Sequence, residues 1–237
     1  MVRTLALVEG PTERNFSQRI LAPHLGRLGI AFHPRVIGSP GHKGGVGPWD
    51  RAKREICNLI RQEPDSVFTT MFDLYALPNN WPGRKEATEN GLKYVDAVAF
   101  IEAKISDAIQ SEFANSGPQI RFIPYLSQHE FEALLFSNIA IFAQVVQQAD
   151  CLQSLQAILE ECGECEKIDD TPEGAPSKRI LKIAPRYSKT VDGIAAAERI
   201  GLPALRAKCP HFNSWVTRLE QFGTAGGGAL MPGGGLS

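Results

Sequence analysis

The chain has 237 residues, 43% of them hydrophobic, enough to bury a substantial core. Lys and Arg total 25 against 26 for Asp and Glu, a net charge of -1, which excludes a protein that grips nucleic acid by bulk positive charge. No apolar run approaches the roughly 18 residues of a membrane span, and five cysteines without a charged-then-apolar leader point to a reducing, cytoplasmic setting.

The N-terminal half alternates strand-like and helix-like segments. "TLALVE" is a short β-prone run ending on Glu9, and Gly10 and Pro11 then turn the chain into "TERNFSQRILAPHLGRLG", whose Phe16, Ile20, Leu21, Leu25 and Leu28 recur at helical spacing. "HPRVIGS" reads as a second strand, "WDRAKREICNLIRQE" as a second helix, and "SVFTTMFDL" as a third strand that stops at Asp73. A loop rich in Pro, Asn and Gly leads into the helix "YVDAVAFIEAKISDAIQ". A fourth strand, "IRFIPYL", then runs into "SQHEFEALLF". Alternation at these lengths predicts an α/β fold with a mostly parallel sheet flanked by helices.

From Ile139 the pattern turns helical with loops. The expected division is an α/β core over 1–138, a helical C-terminal extension over 139–222 and a Gly-rich flexible tail over 223–237. Cys162 and Cys165 have dithiol spacing, but the second pair that structural zinc needs is missing, so an incidental or structural pair is expected.

Ligands of parallel sheets gather beyond the carboxyl ends of the strands. Glu9, Asp73 and the acids of "QHEFE" all fall there. Glu13 suits a helix N-terminus, where an acid complements the dipole. Glu9 has no such structural task, and a half-buried carboxylate calls for donors or a cation. If "HEFE" is helical, Phe131, Leu134 and Leu135 form the core face. Glu130 follows the strand-end turn directly, whereas Glu132 is expected in solvent. His129 is as well suited to a structural hydrogen bond as to catalysis.

With these motifs in place, "LVEGPTE" followed by "FDLY" resembles the TOPRIM fold of topoisomerases, primases and overcoming-lysogenization-defect nucleases. The ordered set "VEGPTERNF", "TTMFDLYALP", "RFIPYLSQHEFEALLF", "APSKRIL" and "CPHFNSWVTRLE" resembles more closely the bacterial TOPRIM-like family known as domain of unknown function 4276. This resemblance runs from Val2 to about Phe222. It implies a Mg2+ or Mn2+ site, with Glu9 in metal binding or acid/base catalysis and Asp73 as a ligand. The chain departs from the usual Asp-x-Asp, reading Asp73-Leu74-Tyr75, so Glu13 and Glu130 are the expected additional ligands. A lysine acts near the metal in the related nucleases, and motif order gives that role to Lys178, with His129 as a further catalytic candidate.

Two segments are candidate substrate contacts: Lys43 in "GHKGGVG" after the second strand, and Ser177 and Arg179 in "APSKRIL". The glycine loop lacks the Gly-Lys-Ser/Thr ending of a phosphate-binding ATPase loop. The expected function is therefore a metal-dependent nuclease acting on DNA or RNA, a defence effector against phage or plasmids served by a separate ATPase subunit, with no membrane partner and with homo-oligomerisation left open. The alternative is a non-catalytic subunit that keeps the fold and docks on that ATPase through its C-terminal helices.

Overall fold

The computed structural model describes residues 1–38, 45–114, 120–147, 151–168 and 175–224. Lys43 and most of the Gly-rich tail lie outside these residues.

Four-residue alternation at the N-terminus produces the first strand, β1 (Val2–Val8), whose odd and even side chains enter different cores. The chain then forms α1 (Pro11–Phe16), a π-helical turn (Ser17–Leu21) and α2 (Ala22–Arg27) as one continuous helical run, and returns as β2 (Ile30–Val36). Next come α3 (Trp49–Gln62), the fully buried β3 (Val67–Asp73), α4 (Arg84–Glu89) and α5 (Tyr94–Ser111). The sheet order is β2-β1-β3, with β2 and β3 each parallel to β1.

The expected fourth strand is instead two short parallel pairings on β3, β4 (Phe122–Ile123) and β5 (Leu126–Ser127). Pro124 has no N–H to donate and interrupts the ladder between them. The Thr70 side chain fills the gap, its Oγ1 accepting the Tyr125 N–H at 2.9 Å and donating to the Tyr125 carbonyl at 3.0 Å.

Residues Phe131–Asn138 form a 3-10 segment. Six consecutive residues, Phe131 to Phe136, are buried there, so the segment has no solvent face on which to place a polar stripe. The remainder is helical: α6 (Ile139–Val146), α7 (Cys151–Cys162), α8 (Pro176–Ile183), a π-helical turn (Lys189–Gly193), α9 (Ile194–Ile200), α10 (Leu202–Lys208) and α11 (Pro210–Thr224).

Helices cover both faces of the sheet. On one, Leu5, Leu7, Phe68 and Phe72 pack against Ile56 and Ile60 of α3 and Val98, Ile101 and Ile105 of α5. On the other, Ala6, Val8 and Met71 share a core with Phe16 of α1 and with Phe142, Ile194, Phe212 and Trp215 of the C-terminal helices. The Phe16 and Phe131 rings meet edge to face at 5.2 Å and lock α1 onto the 3-10 segment. The fold is α/β, a parallel sheet flanked by helices, as the alternation of segments predicts.

Candidate active site: carboxylates at the sheet's carboxyl edge

The sheet delivers acids to one edge. β1 hands over to Glu9, whose N–H still reaches the Met71 carbonyl of β3 at 3.2 Å, and the Glu9 carboxylate accepts the Asp73 N–H at 3.1 Å. The register pairs Asp73 with Ser127, so the chain leaves β5 toward Gln128, His129 and Glu130 at the same edge.

Glu13 reaches this edge because Gly10 and Pro11 start α1 at once. A Cβ on Gly10 would stand 3.2 Å from the Glu13 carboxylate, so glycine leaves that acid its place. Glu13 is only 4% exposed. Glu132, expected in solvent, is 0% exposed, because every neighbour in its 3-10 segment is buried and its side chain turns inward with them.

One cation enters the group. Lys189 Nζ lies 3.0 Å from Glu132 Oε2 and 3.9 Å from Glu13 Oε1. Its π-helical turn is fixed by the Ser188 carbonyl, which accepts the N–H groups of Val191, Asp192 and Gly193, and by the Asp192 carboxylate, which accepts the Ser188 N–H at 2.8 Å.

The electrostatics follow from several acids around one ammonium. Burial raises the proton affinity of Glu9; the Asp73 N–H opposes it, and Glu13 and Glu130 add to it. Asp73 is pushed well up by burial, with Glu13, Glu9 and Glu132 reinforcing the effect against Lys189. Glu132 is pushed up to about 7, chiefly by burial. Burial works against the Lys189 charge, but Glu132, Asp73 and Glu13 outweigh it and hold the ammonium more firmly protonated than usual. The buried Tyr187 hydroxyl has no hydrogen-bond partner and feels Glu132, Asp192 and Glu130, so its proton is held more tightly too.

The remaining expected residues are placed as follows. Glu130 accepts the Ser177 N–H at 2.8 Å and thereby caps the first turn of α8. Arg179 pairs with Glu161 of α7 at 2.7 Å, tying two helices. His129 is buried beside the acids, and Lys178 is exposed on α8. Sequence reasoning missed Lys189 and undervalued Glu132; an acid inside the otherwise apolar "FEALLF" was the available clue. Cys165 hydrogen-bonds with Cys209, between α10 and α11.

A divalent cation is the group the sequence resemblance implies at this edge. The donors suit it in kind: hard carboxylate oxygens, Glu132 Oε1 among them buried without a hydrogen bond, and three acids whose proton affinity is raised chiefly by burial. Among the described residues, no three His, Cys, Asp or Glu side chains are already drawn into a chelating group.

A family model described as domain of unknown function (DUF4276) matches residues 8–220, nearly the whole chain. The chain belongs to this DUF4276 family. Two solved structures of the C-terminal region of the Xanthomonas campestris pv. campestris OLD protein, phased with iodine and with mercury, are similar at 14% identity. Each comparison covers 94% of this chain and 97% of the other, with TM-scores of 0.49 and 0.46. No curated protein sequence matches the chain. Among the described residues of this DUF4276 chain, no helix is long and apolar enough to cross a membrane.

Proposed function

We propose that the chain is a metal-dependent phosphodiesterase of TOPRIM-like type that cleaves nucleic acid. The observation that carries this reading is the gathering of Glu9, Glu13, Asp73 and Glu132 near the Lys189 ammonium, with Glu130 close to Glu9 and Glu132, at the carboxyl edge of a parallel sheet. A scaffold gains nothing from acids buried next to one another; a site for a cation and a phosphate does.

Glu9 and Asp73, with Glu13 and Glu130, are the residues that would hold Mg2+ or Mn2+. Such an ion, when bound, activates water and offsets the charge that develops on the phosphate. Lys189 supplies a firmly held positive charge beside the acids and donates toward a reacting oxygen, the role that motif order gave to Lys178. Glu132 pairs with the Lys189 ammonium, and buried His129 directly precedes Glu130 at the same edge.

Supercoiled DNA and single-stranded RNA incubated with Mg2+ or Mn2+ provide the test. Cleavage by the wild type is expected, falling by at least about 100-fold in Glu9→Gln and in Asp73→Asn, each variant still folded by circular dichroism. Cleavage at wild-type rate in both variants would contradict the assignment.

A further inference from the structure

Two cavities meet at Tyr94 and Gln128, close in the chain to Glu130. The smaller, 290 Å³, is lined by Leu74 and Tyr75, which directly follow Asp73, by Gln128 and His129, which directly precede Glu130, and by Arg84 and Lys93. Among the described residues, no carboxylate lines it. The Arg84 guanidinium has its Nε buried without a hydrogen-bond partner, and its environment holds no compensating anion: burial alone acts on it, lowering its pKa. A guanidinium left unpaired in a cavity that Lys93 also lines is an arrangement that an anionic ligand completes.

The larger cavity, 780 Å³, begins where the smaller ends. Both are lined by Tyr94 and Gln128. Gln128 is only 7% exposed, and its buried Oε1 has no donor. The walls here mix signs with acids in excess, Glu102, Asp107, Glu164 and Glu166 against His211, Lys167 and Arg218, and the Tyr94 ring adds an aromatic surface. A wall with more acids than bases, an aromatic ring and an unused acceptor favours a neutral, planar, hydrogen-bonding group over a second anion. Tyr94 itself has φ 49°, a strained value for a side-chain-bearing residue, and so sets its ring at the junction.

We propose that the paired cavities bind one nucleoside phosphate unit, the phosphate on Arg84 in the smaller cavity and the base beyond Gln128 in the larger. This deepens the phosphodiesterase reading and rests on it for the choice of a nucleotide as the anion. Arg84 would thereby hold a phosphate neighbouring the one to be cut, a positioning task separate from the carboxylates.

Calorimetric titration of the full chain in chelator, with inorganic phosphate, a nucleoside 5′-monophosphate and a single-stranded tetranucleotide as probes, tests the subsite. The monophosphate is expected to bind at least tenfold more tightly than phosphate. Arg84→Gln should weaken both by tenfold or more, and Gln128→Leu should weaken the monophosphate alone. A tetranucleotide tighter than the monophosphate would identify a strand as the source, and a weaker one a free nucleotide; both outcomes keep the subsite. Equal binding by wild type and Arg84→Gln, or no binding of any probe, would overturn it. Should Arg84→Gln not fold, Arg84→Lys, which keeps the charge but not the fork, and Gln128→Leu carry the test. A chain that binds nucleotide through Arg84 but cuts nothing would defeat the nuclease reading and leave the subsite standing. A chain that cuts, with Arg84→Gln binding and cutting like wild type, would do the reverse.

Discussion

Glu132 is the residue at which the strain of this edge is most measurable. Its carboxyl is pushed up to about 7 by burial against an ordinary value near 4.5. The native state thus binds this proton more tightly than the unfolded chain does. Its contribution to stability is full below about pH 4.5 and is lost as the pH rises through about 7, an effect on the order of 3 kcal/mol. Glu9 and Asp73 are shifted in the same direction. His211 adds a slope of the same sign, since burial lowers its pKa but hydrogen bonding and charge from Glu102 raise it further. The diagnostic quantity is therefore the difference between wild type and Glu132→Gln. Urea unfolding in chelator should show stability falling from pH 5 to pH 8, with a distinctly flatter profile in the variant. Parallel profiles would mean that Glu132 does not titrate in this window.

Glu9 and Asp73 were visible in the sequence because each ends an apolar β-prone run, and strand ends map onto one edge of a parallel sheet. Lys189 was not visible, because its place depends on a turn more than 50 residues beyond Glu132 being folded back onto α1, which no local pattern encodes. Arg84 was missed for a related reason: a cation in a Pro- and Gly-rich loop reads as solvated until the cavity around it is known.

Elements were most legible where one face is apolar. α3 and α5 follow their helical spacing closely, and β3, buried throughout, follows its apolar run. The segment after β3 was least legible. A run such as "IRFIPYL" has strand composition, but Pro124 divides it, and only Thr70 from the neighbouring strand makes the division tolerable. Thr70→Val keeps the shape and removes both hydrogen bonds, leaving the Tyr125 N–H without its partner. A loss of about 1–3 kcal/mol is expected by urea denaturation, with Thr70→Ser close to wild type. A change below about 0.5 kcal/mol would show that the break between β4 and β5 is held by packing alone. The same break matters for the site, since β5 aims Gln128 to Glu130 at the carboxylates.

At the scale of the molecule, the C-terminal helices complete the site as well as the core. Lys189 comes from the π-helical turn before α9, and Ser177 of α8 holds Glu130, so an α/β half alone would carry the acids without the groups that arrange them. Near-neutral net charge is compatible with a polyanionic ligand because the charges are sorted: acids at the strand ends, an unpaired guanidinium in the adjoining cavity. The central claim is that these strand-end carboxylates take up a divalent cation. Calorimetric titration of the purified chain with Mg2+ and Mn2+, wild type beside Glu9→Gln, tests it most directly. Saturable binding by the wild type and a loss of at least about tenfold in affinity in the variant are predicted; equal binding by both proteins, or none by either, would contradict the claim.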